Sequence, residues 1–119
     1  PKFAASRRLK SPLEWNATLL EGDVVQAIRE LKEQTGGALL QYGVGELTRT
    51  MLQHGLVDEI RLVMFPFAFG RGPRVFESFD LTSLRLLDSR AFGSGAIALH
   101  YEPERQDRQA ATADVRTAT

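Results

Sequence analysis

Leu39-Leu40-Gln41-Tyr42-Gly43-Val44-Gly45-Glu46-Leu47 is an apolar run that stops at two glycines and passes at once into helical spacing. The pattern predicts a buried strand over residues 38–42 that leads into a helix. The first turn of a helix has unpaired N–H groups and the positive end of the helix dipole, so a phosphate can bind there to backbone alone. A Gly-x-Gly turn at this place is more often ordinary turn chemistry, and both interpretations stay open here.

Two amphipathic segments lie on either side of this stretch. Asp23 precedes apolar residues at 3.6-residue spacing, and two glycines at positions 36 and 37 stop the run, which predicts a helix capped by Asp23. A second helix is predicted over residues 46–54, because Leu47, Met51 and Leu52 fall on one face before Gly55. Asp23 is therefore interpreted as a cap rather than a catalytic acid.

The remaining apolar runs predict strands. Residues 2–6 are expected to end a strand and enter a loop, and residues 58–65 to form a strand covered on both faces. Residues 84–92 and 96–101 are joined by Gly93-Ser94-Gly95, which predicts an antiparallel hairpin. The order of elements predicts an α/β fold: a mixed sheet flanked by helices, with parallel strands first and an antiparallel hairpin last.

The aromatic residues are expected to lie mainly in the core. We expect Trp15 to pack there, with a place beside a cofactor as the alternative. The core cluster is predicted to comprise Phe65, Phe67, Phe69, Phe76 and Phe79, although Phe67 and Phe69 are also suited to a pocket or a subunit interface. Residues 1–103 are expected to form the folded part, and residues 104–119 a disordered or loosely attached tail, because Val115 is the one large apolar residue there.

Composition narrows the functional classes. The 119 residues carry 15 basic and 15 acidic side chains, so the chain lacks the positive charge on which nucleic-acid binding relies. The sequence has no cysteine, which excludes disulfides and thiol catalysis and fits a cytoplasmic protein. No apolar run approaches the roughly 20 residues of a membrane span. His54 and His100 have no carboxylates at a metal-binding interval, so no metal site is predicted.

Several segments, taken in order and spacing, resemble a known family. They are Lys2-Phe3-Ala4-Ala5-Ser6-Arg7, Trp15-Asn16, Leu19-Leu20 with Gly22-Asp23-Val24, Leu31-Lys32, Tyr42-Gly43-Val44-Gly45-Glu46-Leu47, Gly55-Leu56-Val57-Asp58-Glu59-Ile60-Arg61-Leu62, Phe65-Pro66, Gly70 with Gly72, Phe76, Ser94-Gly95 and Tyr101. From Pro1 to about Pro103 the chain resembles the C-terminal part of a dihydrofolate reductase-like domain, of the kind related to the reductase domain of bacterial riboflavin biosynthesis. The resemblance implies the strand-and-helix order described above.

The resemblance also implies NADPH as cofactor. In such reductases a Ser-Arg pair after a strand receives the 2′-phosphate, and Ser6 and Arg7 match that pair. An arginine fork makes charge-assisted bonds to this phosphate, which NADH lacks. The second glycine turn of the family holds the pyrophosphate, and Gly43, Val44 and Gly45 match it, together with the N–H groups of Glu46 and Leu47.

Two positions depart from the family pattern. Val44 stands where a small or hydroxyl residue is usual, so a side-chain contact to the cofactor is lost while the backbone donors remain. Arg8 stands where a threonine is usual, and its charge either helps to bind phosphate or is solvated. The resemblance further implies that a strand and a helix carrying much of the substrate pocket precede Pro1, so no catalytic residue is assigned within this chain.

Two functional hypotheses follow. The first is an NADPH-dependent reductase domain that transfers hydride to a small heterocyclic or other C=N or C=O substrate, provided that the N-terminal half is supplied. The second is a non-catalytic module for nucleotide binding or dimerisation, with an incomplete and inactive reductase as a variant of it. The resemblance and the phenylalanines around Pro66 imply a homodimer.

Overall fold

The computed structural model of this chain describes residues 1–34 and 36–104. Its elements, in chain order, are β1 (Lys2–Ala4), β2 (Ala17–Leu19), α1 (Val24–Gln34), α2 (Glu46–Gln53), β3 (Ile60–Met64), β4 (Leu84–Ala91) and β5 (Ile97–Pro103). The α/β class is confirmed, with a parallel pair of strands followed by an antiparallel sheet. The predicted tail lies outside the described residues except for its first residue.

Helix α1 begins where its sequence predicts. The Asp23 carboxylate accepts a hydrogen bond from the N–H of Val25 at 2.9 Å, as an N-cap should. The apolar face of the helix buries Ile28. Near its end, Lys32 donates to the carbonyl of Leu56 at 2.9 Å and to the carboxylate of Asp58 at 2.6 Å. Lys32 thereby ties α1 to the segment that leads into β3.

Helix α2 also confirms its prediction. It starts after Gly45, and the N–H of Gly55 bonds the carbonyl of Leu52 at 3.2 Å beyond the last helical residue. Gly55 has a φ of +66°, in the left-handed region that commonly ends helices. Inside the first turn, Thr48 is 7% exposed and is the one buried polar residue of the described part of the chain.

Strands β3, β4 and β5 form an antiparallel sheet in the order β3-β5-β4. The predicted hairpin is confirmed: Leu86 pairs with Tyr101, a bulge at Leu87 follows, and Asp88 pairs with His100. Between β4 and β5 the turn closes through Gly95, whose φ is +89°. A Cβ at Gly95 would lie 3.4 Å from the ring of Pro66, in ordinary contact, so the positive φ is what requires glycine in this turn.

Strand β2 is an element that the sequence pattern did not reveal. Its three residues pair in parallel with β1, Phe3 opposite Thr18, and the N–H of Leu20 extends the ladder to Ala4 at 2.8 Å. The described part of the chain has this pair as a second, separate sheet. A three-residue run is too short to show a period of two, which explains the omission.

The strand predicted over residues 38–42 is wrong. The structure has irregular backbone there, and Leu40 and Tyr42 are 72% and 90% exposed. A strand needs a neighbour for its N–H and C=O groups, and none of the described strands pairs with this segment. The prediction that β3 is covered on both faces is wrong as well, since Val63 and Met64 lie more than half exposed.

Most of the predicted aromatic core is also wrong. Trp15 is 84% exposed, on a turn where its φ is +61°. Phe67 and Phe69 are 78% and 77% exposed, and Phe65 is 62% exposed, so these rings cover no core in the described structure. The pair that does pack is Phe76 and Phe79, whose rings meet edge to face at 5.4 Å.

The packed interior of the described residues is small. The buried apolar residues are Ile28, Ile60 and Ala96, and no large side chain there is fully buried. Many large apolar side chains of the described residues are exposed. No helix among the described residues has the length and hydropathy to cross a membrane.

Candidate functional site

The loop that follows β1 is organised by Ser6. Its Oγ accepts hydrogen bonds from the N–H groups of Arg8 and Leu9, both at 3.1 Å. This turn chemistry is typical of a serine that caps a tight loop. It leaves the hydroxyl proton of Ser6 to donate outward, and it holds Arg7 at the loop tip with its side chain 95% exposed.

The first turn of α2 offers backbone donors. The N–H of Arg49 is the first to find an acceptor within the helix, the carbonyl of Gly45 at 3.1 Å. The N–H groups of Glu46 and Leu47 precede it and have no hydrogen-bond partner among residues 1–34 and 36–104. These are the two N–H groups to which the family resemblance assigns a pyrophosphate.

A buried hydroxyl fixes the turn that leads to these donors. Thr48 Oγ1 accepts from the N–H of Gly45 at 3.1 Å and donates to the Gln41 side-chain oxygen at 3.1 Å. The bond from the Gly45 N–H to Thr48 is one half of a capping box. The other half is missing, because glycine has no side chain to accept from the helix. The N–H of Gly45 is therefore engaged within the protein and is not available to a ligand. The sequence prediction did not single out Thr48 or Gln41.

The glycines have different roles. Gly43 has a φ of +80°, a conformation that side chains disfavour, so the turn itself requires glycine there. Gly45 has a φ of −162°, which any residue adopts. A Cβ at either position would meet nothing within 4 Å, so the space beside both glycines is open to a ligand.

An ion pair joins the two predicted segments. Arg7 Nη2 lies 3.9 Å from Glu46 Oε1, so the loop after β1 stands beside the start of α2 although the two are far apart in the chain. Arg49 Nη2 approaches the same oxygen at 4.0 Å. Arg8 is exposed and forms no ion pair with the described residues.

A cleft of about 360 Å³ opens against the same helix start. The glycine turn and α2 line one side of the cleft with Val44, Gly45, Glu46 and Arg49. Residues from the segment 73–79 line the other side. Two arginines, Arg49 and Arg74, and two glutamates, Glu46 and Glu77, balance its charge. Val44 lines it with an isopropyl group, so this residue adds no hydrogen bond to a ligand there.

These groups fit a phosphorylated ligand. The donor set combines two unpartnered N–H groups at a helix start with the guanidinium of Arg7, a combination that binds phosphate oxygens well. The described residues hold no group of three side chains placed to bind a metal ion.

A second charged cluster lies on the sheet, away from this cleft. His100 Nε2 lies 3.0 Å from Glu59 Oε2, in a close electrostatic contact rather than a well-aligned hydrogen bond. Arg61 donates to the same oxygen at 3.1 Å. The hydrogen bond from Arg61 and then the contact with His100 lower the pKa of the Glu59 carboxyl from its ordinary 4.5. This cluster joins β5 to β3, and it is exposed at Glu59 and Arg61.

Comparison with known proteins agrees with this architecture. The family model described as the RibD C-terminal domain matches residues 3–98. The protein YyaP of Bacillus subtilis (strain 168) is 27% identical over 95 residues, which cover 79% of this chain and 50% of YyaP. A crystal structure of a "Putative riboflavin biosynthesis protein" from Shewanella sp. PV-4 superposes with a TM-score of 0.71 at 22% identity, over 88% of this chain and 61% of that one. This chain thus spans about half the length of its curated relative.

Proposed function

This chain belongs to the RibD C-terminal domain family, and from that membership we propose that it is an NADPH-dependent reductase domain. The family is reductase-like and is associated with riboflavin biosynthesis. In the proposed reaction, hydride passes from NADPH to a small heterocyclic or other C=N or C=O substrate. The substrate of the riboflavin pathway is one member of that class.

One observation carries this proposal. The ion pair between Arg7 and Glu46, at 3.9 Å, brings the Ser-Arg loop beside the two unpartnered N–H groups of α2. The 2′-phosphate and the pyrophosphate belong to the same nucleotide half of NADPH, so their binding groups must lie close together. The proximity of Arg7 and Glu46, which are distant in sequence, supports the proposal.

Each residue then has a defined part in holding the cofactor. NADPH supplies the hydride, and the protein supplies binding and orientation. Arg7 binds the 2′-phosphate through its guanidinium, and Ser6 donates its hydroxyl proton to the same group. The N–H groups of Glu46 and Leu47 bind the pyrophosphate, and the open space beside Gly43 and Gly45 lets it approach the backbone.

The test is calorimetric titration of the protein at low salt with NADPH and with NADH. We expect Arg7→Ala to weaken NADPH binding by about tenfold or more, because a charge-assisted bond contributes about 1.5–3 kcal/mol, and to leave NADH nearly unchanged. Arg29→Ala, on the exposed side of α1, is the matched control. Equal loss for both nucleotides in Arg7→Ala, or no binding of either by the wild type, would contradict the proposal.

A second candidate is an assembly module, favoured by the exposed rings around Pro66. Phe65, Phe67 and Phe69 are each more than 60% exposed and follow the outer strand β3. Several exposed aromatic side chains close together in one segment are typical of protein interfaces. We propose a homodimer through this surface, and light scattering at micromolar concentration tests it, since a monomer there would count against it.

A further inference from the structure

We propose that the carboxylate of Glu46 is a specificity-determining group, which pairs with Arg7 in the free protein and must leave it before a 2′-phosphate binds. The proposal rests on the proposed function, because it concerns the same site. Glu46 would then contribute its carboxylate as well as its backbone N–H to the site. The carboxylate stands in for the phosphate that Arg7 would receive.

The geometry places one oxygen between two arginines. Glu46 Oε1 lies 3.9 Å from Arg7 Nη2 and 4.0 Å from Arg49 Nη2, and these arginines come from different elements. The carboxylate is also in the first turn of α2, where the helix dipole favours negative charge. An arriving phosphate would seek the same three partners: both guanidinium groups and the helix start.

Competition follows from charge. A phosphate beside Glu46 would meet a like charge, and Arg7 cannot serve both anions in full. The Glu46 side chain is 71% exposed, so it is free to turn away into solvent. Its exposed ion pair with Arg7 is weak enough for a bound phosphate to replace it. Glu46 thus holds Arg7 in position and at the same time reduces its affinity for phosphate.

The same cleft provides a matched control. Glu77 lines the cleft as Glu46 does, and it forms no ion pair with the described residues. Removal of either charge makes the cleft more positive by one unit. Only the removal of the Glu46 charge also releases Arg7 and Arg49 from their ion pairs. The two substitutions therefore distinguish the exchange of ion-pair partners at Arg7 from a general change in the electrostatic potential of the cleft.

The experiment compares the wild type, Glu46→Gln and Glu77→Gln by calorimetric titration with NADPH, NADH and inorganic pyrophosphate at low salt. We expect Glu46→Gln to bind NADPH about fivefold more tightly, since exposed ion pairs contribute only modestly. The gain should be smaller for NADH, and Glu77→Gln should change NADPH binding by less than about twofold. In an Arg7→Ala background, the extra gain for NADPH should disappear, which a purely structural effect of Glu46 would not produce.

The outcomes separate this proposal from the proposed function. The proposal is overturned if both Gln variants gain the same NADPH affinity, or if Glu46→Gln gains the same affinity for NADPH and for NADH. Weaker NADPH binding by Glu46→Gln would also overturn it, because Glu46 would then assist cofactor binding, for example as an acceptor for a ribose hydroxyl. If neither the wild type nor either Gln variant binds NADPH, the reductase assignment fails. The titrations with inorganic pyrophosphate then test the exchange at Glu46 by themselves. A gain in pyrophosphate affinity that is larger in Glu46→Gln than in Glu77→Gln supports the exchange, and equal gains or no gain refute it.

Discussion

Replacement of Thr48 by valine should destabilise the fold through one buried hydroxyl. The substitution keeps the β-branched shape and nearly the same helix propensity, so it removes little besides the hydroxyl. Thr48 Oγ1 accepts from the N–H of Gly45 and donates to Gln41, and the residue is 7% exposed. Two ordinary hydrogen bonds contribute about 2 kcal/mol together.

The expected loss is somewhat smaller than that sum. Gln41 and Gly45 are both exposed residues whose bonds to the buried Thr48 are half-buried, so water replaces part of each lost bond. We therefore expect the free energy of unfolding to fall by about 1.5 kcal/mol. For a chain of this size, the melting temperature should fall by about 6–7 °C.

Urea denaturation of Thr48→Val and of Thr50→Val provides the measurement. Thr50 lies on the same helix, and its hydroxyl donates to the Glu46 carbonyl at 3.2 Å in an exposed bond, so its loss should cost less than about 0.5 kcal/mol. The midpoints should separate while the m-values stay equal. Equal stability of the two variants would refute the reasoning, since it would show that the Gly45 N–H finds another partner.

Two further changes test contacts elsewhere in the fold. Lys32→Met removes a charge-assisted hydrogen bond to Asp58 and should lower the free energy of unfolding by about 1–2 kcal/mol in urea denaturation. The loss is no larger because that bond is partly exposed, and unchanged stability would show that the contact is dispensable. Glu59 has a lowered pKa in the folded protein, so its contribution to stability is present above pH 4.5 and is lost as the pH falls through the folded value. Stability measured between pH 6 and pH 3 should accordingly fall further for the wild type than for Glu59→Gln, and parallel curves would count against the contact with Arg61.

Local patterns in the sequence predicted the helices and the hairpin correctly. The cap at Asp23, the periodic faces of both helices and the glycine turn before β5 act between neighbours in the chain, so they need no knowledge of the rest. The run at residues 38–42 failed because an apolar segment becomes a strand only beside another strand. The prediction of a core for the exposed phenylalanines failed for a related reason. Composition does not show which apolar faces pack against each other.

The cofactor site stays a prediction. Family resemblance pointed to two segments, and the structure brings Arg7 of one close to Glu46 of the other. The ion pair of Glu46 with Arg7 and the bonds of Thr48 depend on side-chain positions across a turn or between distant segments, which no spacing encodes. A signal for Thr48 did exist, because it stands three residues after the N-cap Gly45, at the position whose side chain accepts from the N-cap N–H in a capping box.

The order of strands in the main sheet has a consequence for synthesis of the chain. Strand β5 pairs with both β3 and β4, yet it follows both in the sequence. Ribosomes add about 5–20 residues per second, so β3 waits on the order of seconds between its own emergence and that of its partner. During that interval its backbone edge and apolar side chains are open to chaperones and to other nascent chains. Slower translation would lengthen this exposure, and the yield of folded protein should therefore depend on codon choice between β3 and β5.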